Sequence, residues 1–83
     1  MSETKIINKN LDLSIRFNGF LIDNPDVAVQ IESDSVIVFE LKGNSVFNKT
    51  NWTLAKPSFE SGVPCYKAEQ TKTGWNICKV LAA

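Results

Sequence analysis

Eighty-three residues make one small domain, and a hydrophobic share of 43% against a charged share of 22% is globular rather than disordered. The nine basic and nine acidic side chains cancel, so the chain is not the strongly basic kind that nucleic acid selects. No apolar run approaches the ~18 residues of a membrane span, and "MSETKIINKN" has neither the basic nor the apolar region of a signal peptide. A cytoplasmic location is expected. The charges are split along the chain. Residues 1–41 hold three basic against seven acidic side chains, net −4, and residues 42–83 six against two, net +4. Such a split marks an interaction surface unless strands from the two halves interleave.

Residues 1–10 carry only Ile6 and Ile7 as large apolar positions after Met1 and are read as a flexible lead, with a single β domain over 11–83. "LDLSIRF" (11–17) alternates, with Leu11, Leu13, Ile15 and Phe17 on one side, as a half-buried strand does. Asn18-Gly19 follows. This pair suits a two-residue type I′ turn, so a hairpin with Phe17 beside Phe20 is expected. "DNPD" (23–26) reads as a turn about Pro25, and "VAVQIE" (27–32) as a second alternating strand.

"SVIVFEL" (35–41) is apolar on both faces and reads as a central strand. "KGN" turns it into "SVF" (45–47), the loop "NKTN" (48–51) follows, and "WTL" (52–54) is a short strand. "AKPSFESG" (55–62) is the longest irregular stretch expected. "VPCYKAEQ" and "WNICKVL" form a last hairpin about "TKTG", with Gly74 in a left-handed turn position. No stretch shows helical spacing of apolar residues over three turns. The fold class expected is all-β, a single small antiparallel barrel or sandwich of six to seven short strands joined by hairpin turns.

Cys65 and Cys78 fall in that last hairpin. A two-residue turn pairs them directly. A four-residue turn sets Cys78 opposite Lys67, diagonal to Cys65, and a three-residue turn sends the sulfurs to opposite faces. Two free thiols suit a reducing compartment. With two cysteines and no histidine, a zinc set is out of reach, and no metal or other cofactor is expected. The missing histidine also removes the usual general base, and no nucleotide or nucleophile motif is present, so no catalytic residues and no enzyme activity are expected. Asn48 and Asn51 head N-x-T triplets that read as ordinary polar loop residues.

A stoichiometric protein-binding or inhibitor module is the reading left. By analogy of size it fits an orphan protein of a phage or mobile element. Trp52 opens a short strand beside a polar loop, with Lys49 and Lys56 flanking and Phe59 nearby. These four residues are the expected partner-binding patch. The alternative is a single-stranded nucleic-acid surface of Lys67, Lys72, Trp75 and Lys79, where rings stack on bases and ammonium groups meet phosphates. No membrane partner is expected. Exposed sheet edges make a homodimer an expectation too.

Overall fold

The computed structural model describes residues 2–81. Helices α1 (Glu3–Asp23) and α2 (Pro25–Ala28) come first, followed by β1 (Val36–Glu40), α3 (Ser45–Glu60), β2 (Cys65–Gln70) and β3 (Trp75–Lys79). The fold is therefore mixed α/β, half helical with one small sheet. The expectation of an all-β barrel or sandwich is overturned. The chain divides into two compact units between Glu32 and Ser33.

The first unit is helical where strands were expected. Ser2 caps α1, its hydroxyl accepting from the Lys5 N–H at 3.3 Å. The alternation of "LDLSIRF" resolves into two helical faces. Leu13 and Phe17 are buried together with Ile6, while Leu11 and Ile15 are exposed together with Ile7. Each set repeats at three, four or seven residues, so an apolar pattern of period two is here the sum of two helical stripes. Asn18 and Gly19 lie inside the helix and form no hairpin turn. α1 ends at Asn24, whose side-chain amide donates to the Phe20 carbonyl at 2.8 Å. Pro25 then opens α2 at a position where its missing N–H costs nothing. The expected strand over 27–32 is instead the end of α2 and the bends that follow it.

The second unit is a β-α-β-β arrangement. β1 and β2 are parallel, with Val36 beside Cys65 and Phe39 beside Ala68. Parallel neighbours need a long crossover, and α3 supplies it. β3 pairs antiparallel with β2, giving the order β1-β2-β3. β1 is thus an edge strand, not the central one its two-sided apolar character suggested. The final hairpin forms as expected, in the four-residue register: Gln70 faces Trp75 and Lys67 faces Cys78. Gly74 has φ 158° and not the αL value near +57° expected for it.

α3 replaces the expected strands "SVF" and "WTL" and takes in Ala55–Glu60 of the expected irregular stretch. Asn44 caps it, accepting from the Phe47 N–H at 3.0 Å. Its buried stripe is Phe47, Asn51 and Ala55. It ends in a Schellman motif, with Gly62 at φ 90°, the Gly62 N–H on the Phe59 carbonyl at 3.1 Å and the Val63 N–H on the Ser58 carbonyl at 3.0 Å. Asparagines hold α3 to β1. The Asn48 amide donates to the Leu41 carbonyl at 3.0 Å and its oxygen accepts from the Leu41 N–H at 2.7 Å. The Asn51 amide donates to the Phe39 carbonyl at 2.9 Å.

Candidate functional site

Lys49, Trp52, Lys56 and Phe59 follow one another at spacings of three, four and three along α3, which puts all four on one helical face. They were expected on a loop (Lys49), a short strand (Trp52) and the irregular stretch 55–62 (Lys56 and Phe59). The helix gathers them more tightly than any of these would. The Trp52 and Phe59 rings are half-buried and touch, with centroids 5.4 Å apart and planes tilted by 57°. This lies inside the range of favourable aromatic pairs. They sit where the buried stripe of α3 gives way to its exposed side, so each ring has one protected and one open flank.

Lys67 joins them from β2. The sheet register sets Lys67 on the same face as Val38 and Glu40, and this is the face α3 covers. Its ammonium stands 5.6 Å from the Trp52 centroid and 4.0 Å from a Glu40 carboxylate oxygen. The ring and the carboxylate together hold this cation in place. Sequence reasoning had assigned Lys67 to the other surface and had not singled out Glu40. The crossover topology brings them together, and no local pattern announces it. Lys56 pairs loosely with Glu60 at 3.9 Å, both side chains about 60% exposed, a contact worth little in water. Lys49 is exposed and lies in no ion pair among the described residues.

The nucleic-acid set is not brought together. Trp75 and Lys79 share the sheet face opposite Lys67, because Lys79 faces Tyr66 while Lys67 faces Cys78. Trp75 is turned to Phe39, with ring centroids 5.8 Å apart. Lys72 lies in the turn before β3. Cys65 and Cys78 are both free; Cys65 is buried and Cys78 exposed. Asn48 and Asn51, read as loop residues, instead spend their amides on β1, and Asn51 is buried. Among the described residues no three His, Cys, Asp or Glu side chains group closely enough to hold a metal ion. No helix among them is long and apolar enough to cross a membrane.

The model of DUF5647, a family of unknown function, matches residues 5–71. The chain belongs to this family. The family match runs from the first turn of α1 to just past β2. It includes Lys49, Trp52, Lys56, Phe59 and Lys67 and ends before Lys72, Trp75 and Lys79. No curated protein and no solved structure matches the chain.

Proposed function

We propose that the chain is a small, non-catalytic, cytoplasmic module that binds one protein partner stoichiometrically through the α3 face of Lys49, Trp52, Lys56 and Phe59, extended by Lys67. The observation that carries this reading is the touching Trp52–Phe59 pair, half-buried, with Lys67 fixed against its indole. Aromatic anchors held rigid in advance give large contact area at little entropic cost, which is what interface hot spots use. Three lysines around two rings favour an acidic partner surface. A domain of this size has room for one standard interface, about 800 Å² on each side.

The test is capture from the native host at moderate salt, with and without nuclease, using the wild-type chain, Lys49→Glu and Trp52→Ala. A protein should be retained by the wild type, survive nuclease and be lost with both variants. Lys49→Glu should leave the thermal midpoint in place, because its side chain is exposed. Capture that both variants keep would overturn the reading. So would bound material that nuclease removes and that releases steeply as salt rises, the signature of phosphate contacts.

A further inference from the structure

β3 ends the sheet: in the order β1-β2-β3 it has a strand neighbour on one side only. Its backbone alternates between β2 and the outer side. The Thr71 N–H donates to the Gly74 carbonyl at 2.8 Å, and the Val80 N–H to the Cys65 carbonyl at 2.8 Å. These bonds mark Gly74, Asn76, Cys78 and Val80 as the residues that turn their backbone groups toward β2. Trp75, Ile77 and Lys79 turn theirs outward. The opposite edge of the sheet is treated differently. There Asn48 and Asn51 hold backbone groups of Leu41 and Phe39. Among the described residues nothing does the same for the N–H and carbonyl of Ile77. The strand is accessible, with Asn76, Cys78 and Lys79 exposed and Trp75 and Ile77 half-buried.

We infer that β3 pairs with β3 of a second copy, antiparallel about a two-fold axis through Ile77, joining two three-stranded sheets into one. An antiparallel neighbour exchanges hydrogen bonds with the outward residues only where an odd-numbered residue faces an odd-numbered one. Of the registers that satisfy this, the one centred on Ile77 pairs the whole of Trp75–Lys79 with its counterpart. It sets Ile77 against Ile77, Trp75 against Lys79 of the other copy, and Asn76 against Cys78. Apolar side chains then meet at the axis, and a Lys79 ammonium comes beside an indole at each end. Lys79 is the one charged side chain of β3, and the two copies of it lie at opposite ends of the pairing, so no like charges face each other. A lysine on an edge strand ordinarily discourages pairing; this register gives it a ring to rest on. The strand is thus complementary to itself, which singles out a second copy over an extended segment of another protein. A strand of this length spans about 17 Å and buries less than the roughly 800 Å² per partner of a standard interface, so the dimer is a weak, reversible one. The inference does not rest on the α3 face, and β3 lies beyond the family match, which ends at residue 71.

Sedimentation of the full chain from about 10 μM to about 1 mM tests it. The wild type should pass from monomer to dimer within that range. Ile77→Pro removes a donor that faces away from β2, so the circular-dichroism spectrum should hold while the dissociation constant rises at least tenfold. Lys79→Glu should weaken the dimer several-fold. Asn76→Cys gives a readout that needs no loss of binding. Its new thiol stands opposite Cys78 of the other copy in a non-hydrogen-bonded pair, with Cα atoms about 4.5 Å apart, close enough for a disulfide. In the wild type the two Cys78 residues meet only on the diagonal, at about 7–8 Å, which is too far. At equal protein concentration, oxidised glutathione should therefore convert the variant to a covalent dimer on a non-reducing gel and leave the wild type monomeric there. A monomer at every concentration in sedimentation would overturn the inference and leave β3 to an extended segment of another protein. A dimer that a folded Ile77→Pro chain keeps would overturn it too. So would an Asn76→Cys chain that cross-links no faster than the wild type, whatever becomes of the proline variant.

Discussion

Asn51 is the buried polar residue of the described chain, 6% exposed, and its side-chain amide donates to a strand carbonyl, that of Phe39. A buried carbonyl that loses its donor pays the desolvation it had avoided. Asn51→Ala is therefore expected to cost about 1–3 kcal/mol, read as a lower denaturant midpoint at unchanged slope. Asn51→Asp should cost more, since it sets an acceptor against an acceptor. The two thiols should differ as sharply. Cys78 is exposed and Cys65 is buried with its thiol against the Val63 carbonyl at 3.4 Å. An aromatic disulfide reagent should titrate one thiol quickly in the native protein and the second only on unfolding. Two fast thiols, or none after denaturation without reductant, would contradict the placement of these residues.

At the scale of the element, α1 shows why a strand was expected where a helix stands. Leu11, Leu13, Ile15 and Phe17 alternate because one helix feeds two apolar faces, and a period-two reading cannot distinguish that from a sheet surface. Asn18-Gly19 strengthened the error, since the pair suits a hairpin locally but costs a helix only about 1 kcal/mol, which the flanking turns outweigh. Gly19 is the place to check this. A Cβ added there meets nothing within 4 Å. Gly19→Ala should raise the thermal midpoint by the equivalent of about 0.5–1 kcal/mol, whereas a hairpin turn at positive φ would lose stability. α3 was hidden differently. Its buried stripe has Asn and Ala at two of three positions, so hydrophobic spacing says little, and the legible marks were the cap at Asn44 and the stop at Gly62. β1 was readable as a strand from its short β-branched run, and β2 and β3 from the turn "TKTG" between them. Of the candidate site, the four α3 residues were named from composition and position. Their convergence on one face, and the arrival of Lys67 and Glu40, depend on a crossover that sequence spacing does not encode.

At the scale of the whole molecule, helices of 21, 4 and 16 residues should give a far-UV spectrum with the helical double minimum. A spectrum with a single sheet minimum would contradict the fold. Lys67 pairs with Glu40 across the two chain halves, and the pairs of Asp12 with Lys9 and Arg16 and of Lys56 with Glu60 lie within single helices, on exposed side chains. Raised salt should therefore change stability little. The asparagines of α3 have a further consequence. The Val36 N–H turns toward β2, so Phe39 and Leu41 turn their backbone groups to the open side of β1, where Asn48 and Asn51 meet them. Side-chain amides here take the place of a neighbouring strand. An apolar edge of this kind is otherwise a template on which strands of other molecules can stack into fibrils, and in the order β1-β2-β3 only β2 is flanked on both sides. Asn48 and Asn51 thus occupy backbone groups that an incoming strand would need. Replacing Asn48 by valine, which makes neither amide bond, should shorten the lag before thioflavin-positive aggregates appear on mild heating.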